Sequence, residues 1–180
     1  MPGAILAVVG PSGAGKDTLI DAARRVRPDL VIVRRVITRP ETAGGEPFEG
    51  VTAEEFARRR TAGGFVLDWQ AHGLRYGIPV GVLADLAAGR TVIFNGSRAM
   101  LAQAGAAFPG LVVIHVTAPV PVLAARLAAR GRESAEDIAR RLSRAPEPFP
   151  PGLPVREVQN AGALETAVAA FLDALQPVRV

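Results

Sequence analysis

The sequence predicts an α/β fold, a parallel sheet with crossover helices, and three observations predict it. Short β-rich apolar runs alternate with longer helix-like segments along most of the chain, the pattern of parallel strands joined by crossovers. A glycine-rich stretch, Gly10-Pro11-Ser12-Gly13-Ala14-Gly15-Lys16-Asp17-Thr18, separates the first apolar run from the first helical segment. The chain has 180 residues, 49% hydrophobic and 21% charged, enough for one continuous core and too apolar for disorder. A single domain over residues 1–180 is expected.

The elements follow in order. Residues 4–9 are apolar throughout, as in a strand buried on both faces, and residues 16–26 read as the helix after it. Residues 31–37 form the second strand candidate. Residues 38–78 break the alternation with Gly- and Pro-containing segments, and read as a small insertion over the site rather than a second domain. Within it, a short helix over 53–60 starts at Thr52 as N-cap with Glu54 and Glu55 in its first turn, and residues 65–69 read as a strand. A helix over 80–88 leads to a strand at 91–94, and the next strand is 111–116. Helices over 120–130 and 135–144 precede residues 146–154, whose five prolines make a loop. A strand at 155–158 and a helix at 163–175 close the chain.

Of the 21 Lys and Arg residues, Lys16 is the only lysine. A chain that meets every other need for positive charge with arginine keeps one compact ammonium on a flexible stem, which fits under a phosphate chain where a planar guanidinium would not. The spacing Gly10-x-x-x-x-Gly15-Lys16 after a strand and before a helix is the phosphate-cradling loop, so the sheet is expected to be a P-loop NTPase fold. Backbone N–H groups from Gly13 to Thr18 suit the β- and γ-phosphates of ATP or GTP. The residue after lysine is ordinarily Ser or Thr, whose hydroxyl binds Mg²⁺; here it is Asp17, with Thr18 one place later. Either could hold the metal, Asp17 through its carboxylate and Thr18 through its hydroxyl.

Other features narrow the function class. No cysteine is present, which excludes disulfides, thiolate catalysis and Cys-based metal sites. No apolar run approaches the roughly 20 residues of a membrane span, and no export signal is expected at the N-terminus. A cytoplasmic enzyme without a membrane partner is the expectation. The net charge of +4 and pI near 10.8 raise the question of nucleic acid. The arginines are dispersed, and seven Phe, one Trp and one Tyr offer little base stacking, so phosphorylated small molecules account better for the charge.

Four further stretches occur in a fixed order after the loop: Ile37-Thr38-Arg39-Pro40; Val51-Thr52-Ala53-Glu54-Glu55-Phe56; residues 65–77 with Asp68-Trp69 and Tyr76-Gly77; and Arg126-Leu127-x-x-Arg130-Gly131-Arg132-Glu133 ending in Arg140-Arg141-Leu142. From about residue 4 to residue 175 they resemble the guanylate-kinase fold. The resemblance implies that Arg39 and Tyr76 hold the acceptor's phosphate and that Asp68 faces the rest of the acceptor; the alternative for Asp68 is a partner to an arginine. It also implies that residues 130–141 form a lid whose Arg130 and Arg141 join Lys16 in neutralising the transferred group.

The chain departs from guanylate kinases where a purine is read. Thr42 stands in place of a second arginine, Phe48 in place of a tyrosine, Ile78 in place of a hydroxyl residue, and Asn95-Gly96-Ser97-Arg98 in place of Asp-x-Asp. The residues present instead, Gly10–Asp17, Arg35–Arg39, Trp69–Gly77 and Asn95–Arg98, resemble ribose 1,5-bisphosphate phosphokinases. That resemblance implies ATP-dependent formation of 5-phosphoribosyl 1-diphosphate from a sugar phosphate, with a guanylate kinase or other nucleoside monophosphate kinase as the rival. Arg35 and Arg98 are then added cations for a doubly phosphorylated sugar, with Asn95 and Ser97 beside them as sugar or phosphate ligands or as helix caps. Trp69 reads as insertion core, His72 as either beside the site or structural, and His115 as core.

Overall fold

A computed structural model describes residues 3–176; residues 1–2 and 177–180 of the expected domain lie outside the described residues. The first strand, β1 (Ile5–Val9), is the centre of a five-stranded sheet, and all five of its residues are buried. Ile5, Ala7 and Val9 pack into one apolar cluster while Leu6 and Val8 pack into another. The unbroken apolar run is therefore the sequence form of a strand covered on both faces.

Three more strands in this sheet are β2 (Val31–Ile32), β7 (Val92–Asn95) and β8 (Val112–Thr117), and the fifth is β9 (Val155–Gln159); the order is β2-β7-β1-β8-β9 and every pairing is parallel. Helix α1 (Lys16–Val26) follows β1 directly after the glycine-rich loop. It packs on α7 (Leu164–Ala174), where Phe171 is fully buried. Helices α3 (Val82–Ala87), α4 (Leu101–Ala107), α5 (Val120–Arg130) and α6 (Ala135–Leu142) complete the crossovers and the segment after β8. The polar ends of β1, β7 and β8 thus open on the same edge, where ligands bind in sheets of this kind.

A second sheet, in the order β4-β3-β6-β5, is built from β3 (Val36–Ile37), β4 (Glu49–Gly50), β5 (Phe65–Ala71) and β6 (Leu74–Pro79), with α2 (Ala53–Thr61) inside it in sequence. Thr52 caps α2 by accepting from the Glu55 N–H at 3.1 Å, as its position suggested. The turn between β5 and β6 consists of His72 and Gly73 with φ of 52° and 74°, the geometry of a tight two-residue hairpin.

Three expectations need correction. The single strand over 31–37 is two strands in two sheets: Val33 still bonds Ile93 of the main sheet at 2.9 Å, whereas Arg35 already accepts from Glu49 of the second at 2.8 Å. A β-rich run carries no sign of the neighbour with which it pairs, so the switch at Arg34 was hidden. Strands β4 and β6 were missed because one is two residues long and the other contains Gly77 and Pro79. Helix α4 was missed because Gly105 interrupts it. That glycine has a packing reason, since a Cβ there would stand 3.0 Å from Leu153 in the proline-rich segment. Among the described residues no helix is long and apolar enough to cross a membrane.

Candidate active site

A cleft of about 780 Å³ opens at the C-terminal edge of the main sheet and runs beneath the second sheet, within the size range of small-molecule sites. On one side lies the glycine-rich loop. Gly10 passes so close to β8 that a Cβ would lie 2.2 Å from the Val116 carbonyl oxygen, and Gly15 caps α1 with φ of 88°. Arg126 of α5 donates to the Gly13 carbonyl at 3.1 Å and to the Asn160 carbonyl at 2.9 Å. Asn160, which is 5% exposed, donates to the Ala14 carbonyl at 2.8 Å. Two side chains from distant elements thereby anchor the loop from behind. Neither role was foreseen; the available signal was a polar residue ending an otherwise β-rich run.

Gly10, Pro11, Ser12, Gly13, Gly15, Lys16, Asp17 and Thr18 line the cleft. Ala14 does not; it is fully buried in the core under the loop, so only its backbone remains near the nucleotide position. Lys16 Nζ donates to the carbonyls of Gly10 at 2.7 Å and Pro11 at 3.3 Å. Burial pushes its pKa down to about 8; Asp17 opposes the shift, and Arg35 and Arg130 add to it. Asp17 accepts from Asn95 Nδ2 at 2.9 Å, which ties the end of β7 to the first turn of α1.

The opposite side is held by arginines. Arg35, 8% exposed, is ion-paired to Glu46 and lies over the rings of Tyr76 and Trp69 at 5.0 and 5.9 Å. Burial pushes its pKa down to about 10, with Tyr76 and Asp17 opposing and Arg39 adding to the shift. Arg39 donates to the Gly44 carbonyl at 3.1 Å and rests on Phe48 at 4.4 Å. Arg98 donates to the Glu147 carbonyl at 2.6 Å and stacks on Phe149 at 4.0 Å. Across the mouth, Arg130, Arg132, Arg141 and Arg144 line the cleft from α5, α6 and their flanks, with Arg141 ion-paired to Glu133.

The cleft therefore brings together Arg35, Arg39, Tyr76, Asn95, Ser97 and Arg98 with Lys16, Arg130 and Arg141. Three buried side-chain polar atoms lack a hydrogen-bond partner among the described residues, Arg35 Nε, Arg39 Nε and Ser97 Oγ, and all three belong to cleft-lining residues. Buried groups of this kind are ordinarily paired, so their clustering marks a site shaped for a polar ligand. Asp68, like Ala14, stands outside the lining, and of its two expected roles it takes that of partner to an arginine. It pairs with Arg60 Nε at 3.0 Å. The alternation of β5 sets Trp69 and Ala71 toward the cleft and leaves Asp68 on the other face. Trp69 is both buried and part of the lining, stacked on Tyr76 at 5.3 Å. His115 corrects a further expectation: it lines the cleft instead of filling the core.

No protein-family model matches the chain. Among curated relatives, the ribose 1,5-bisphosphate phosphokinase PhnN of Rhizobium etli (strain CIAT 652) is 49% identical over 179 residues, covering 96% of this chain and 91% of that protein. The protein of the same name from Agrobacterium fabrum is 48% identical, with 96% of each chain covered. The chain belongs to the ribose 1,5-bisphosphate phosphokinase family. A bifunctional ribose 1,5-bisphosphokinase-thymidine phosphorylase of Cupriavidus necator is 51% identical, and the chain spans 97% of itself but 29% of that protein. Among solved structures, a guanylate kinase from Anaplasma phagocytophilum superposes with a TM-score of 0.69 at 19% identity, covering 97% of this chain and 85% of that one. A gluconokinase from Sinorhizobium meliloti 1021 gives 0.54 at 20% identity, with 97% and 91% covered. These two likenesses establish the fold.

Two measurements test the electrostatics of this family member's cleft. Because the free ammonium of Lys16 titrates near pH 8 and bound phosphates favour its charged form, nucleotide binding should take up a proton above that pH. Calorimetry of ATP binding at pH 8.5 should show an enthalpy that depends on the buffer's ionisation heat. The dependence should fade toward pH 7 and vanish in Lys16→Met. Glu46→Ala should leave Arg35 as a buried unpaired cation and lower unfolding stability by roughly 3 kcal/mol in urea titration. Glu49→Ala, whose partner Arg59 is half-exposed, should cost less than about 1 kcal/mol.

Proposed function

We propose that this chain phosphorylates ribose 1,5-bisphosphate with ATP, giving 5-phospho-α-D-ribose 1-diphosphate and ADP. The observation that carries the reading is the acceptor side of the cleft: Arg35, Arg39 and Arg98 converge there, beside the partnerless Ser97 hydroxyl. The two apolar positions where a guanylate kinase would read its nucleotide are closed to a ligand. Ile78 is fully buried in the core and Phe48 is buried beneath Arg39. A purine pocket depends on paired polar groups, whereas a small sugar with two phosphates calls for cations, which arginine supplies in bidentate form. The names of the relatives agree with this substrate.

In this reading an oxygen of the C1 phosphate attacks the γ-phosphorus in line. A new P–O bond forms as the bond from the γ-phosphorus to the β–γ bridging oxygen breaks, and ADP leaves with that electron pair. The acceptor is already largely ionised at neutral pH, since a phosphate monoester's second pKa is about 6, so no general base is assigned. Lys16 leaves the loop carbonyls for the β- and γ-phosphates. Arg130 and Arg141, on a lid over residues 130–141, neutralise the equatorial oxygens as charge develops there. Arg35, Arg39, Tyr76 and Arg98 bind the acceptor's phosphates within the unit formed by residues 38–78 and its neighbours, with Asn95 and Ser97 orienting the sugar. Asp17 and Thr18 would hold Mg²⁺, which would supply neutralisation of the phosphates' negative charge. The single carboxylate of Asp17 and the Thr18 hydroxyl, both lining the cleft beside the loop, suit a hard cation that brings most of its ligands with the nucleotide.

The substrate reading is checked by a coupled ADP assay comparing ribose 1,5-bisphosphate with GMP. Ribose 1,5-bisphosphate should be turned over with a kcat/KM at least a hundredfold higher, and preference for GMP would replace this reading with the nucleoside monophosphate kinase one. Lys16→Met should lower kcat by about 10²-fold or more at an unchanged melting temperature. Turnover like that of the wild type would remove Lys16 from the chemistry.

A further inference from the structure

His115 has no task in the proposed reaction, yet it occupies a specific place. It lies on β8, its side chain is 12% exposed, and it lines the cleft between buried Ile114 and Val116. Its Nε2 is 2.9 Å from Arg98 Nη2. An arginine offers only donors and does not give up its proton, so Nε2 is the accepting nitrogen and the ring hydrogen sits on Nδ1. That nitrogen is 3.8 Å from Glu157 Oε2 on the adjacent strand β9.

The other amino group of Arg98, Nη1, donates to the Glu147 carbonyl, the guanidinium carbon lies over the Phe149 ring, and the Phe149 and His115 rings meet in a T-shape with centroids 5.0 Å apart. The guanidinium is thus fixed by β8 on one side and by the proline-rich segment on two others.

We propose that neutral His115 is a positioning residue that holds Arg98 toward the acceptor's phosphate. The inference rests on the reading of Arg98 as an acceptor ligand and adds to it a residue acting from behind. The charged groups facing the ring are Arg98, Glu157 on β9 and Lys16 on α1. Burial lowers its pKa below the ordinary value; Arg98 adds to this, Glu157 opposes it, and Lys16 adds a smaller push in the same direction. The neutral, accepting form therefore prevails at pH 7 and is lost as the pH falls below that lowered value. Protonation would set an imidazolium against a guanidinium with no acceptor between them, and Arg98 would have to leave its place.

The test uses the whole chain. In His115→Leu the acceptor KM should rise roughly tenfold, the loss typical of a hydrogen bond to a charged group, while kcat and the ATP KM stay within about twofold. His115→Gln, which presents an amide oxygen to Arg98, should recover most of the affinity. Acidification weakens acceptor binding in every variant through the substrate's own ionisation. Wild type should show an additional loss that His115→Gln lacks. An acceptor KM unmoved in His115→Leu, or superimposable pH profiles for wild type and His115→Gln, would overturn the assignment. Imidazole ¹⁵N NMR of the unliganded protein gives a reading independent of the acceptor's identity and of how the leucine variant folds. Assigned against the one other histidine, His72, by substitution, His115 should carry its proton on Nδ1 at pH 7.5, and its pKa should rise in Arg98→Met. A proton on Nε2, or a pKa indifferent to Arg98, would refute the proposal even if ribose 1,5-bisphosphate proved to be the acceptor. Failure of wild type to use that sugar, with the NMR result intact, would refute only the substrate reading.

Discussion

The constraint on which the cleft depends is the confinement of many positive charges in one partly dehydrated space. Lys16, Arg35, Arg39, Arg98, Arg130 and Arg141 all border it, and like charges at short range in a medium of reduced dielectric repel strongly. Most of them are held by a specific acceptor. Lys16 is folded onto two loop carbonyls, Arg35 onto Glu46, Arg39 onto the Gly44 carbonyl, Arg98 onto the Glu147 carbonyl and His115, and Arg141 onto Glu133. Burial is the main cause of the depressed pKa values of Lys16 and Arg35, and the neighbouring cations add to it. An arrangement of this kind is poised for a multiply anionic ligand, because phosphate oxygens can replace carbonyls and carboxylates with stronger, charge-assisted bonds.

The two halves of the cleft meet this constraint differently. The nucleotide side relies on backbone, with a loop whose glycines permit close approach to β8 and whose carbonyls are fixed by Arg126 and Asn160. The arginine-lined side relies on flat surfaces, since the rings of Tyr76, Trp69, Phe48 and Phe149 each lie under an arginine guanidinium. A guanidinium stacked on a ring keeps its in-plane N–H groups available, which an ammonium could not do. This gives a physical sense to a chain that uses arginine everywhere except at position 16.

Much of this was legible in the sequence, and the failures have physical causes. The central strand, the loop and the parallel alternation could be read because a doubly covered strand is apolar throughout and a strand–glycine–helix junction has few alternatives. The cleft arginines could be found only as members of ordered motifs, since a single arginine on a helix looks the same whether it meets water or phosphate. Of the two readings of Asp68, the structure shows the arginine partner, Arg60, rather than the cleft, because alternation along β5 gives the cleft face to Trp69 and Ala71. His115 was misread for the opposite reason. In a strand covered on both sides, alternation no longer distinguishes interior from edge, and only the sheet order reveals that this residue lies where the strands open on the cleft.

Gly105 shows how far the reach of the cleft extends. It sits in α4, outside the lining, and its missing side chain lets Leu153 settle against the helix. Leu153 shares one short, proline-stiffened stretch with Glu147 and Phe149, the two residues that grip Arg98 from outside the sheet. A methyl group at position 105 would require the Leu153 side chain to yield by a few tenths of an ångström. The spacing between α4 and the segment that holds Arg98 is thereby set by a residue outside the cleft.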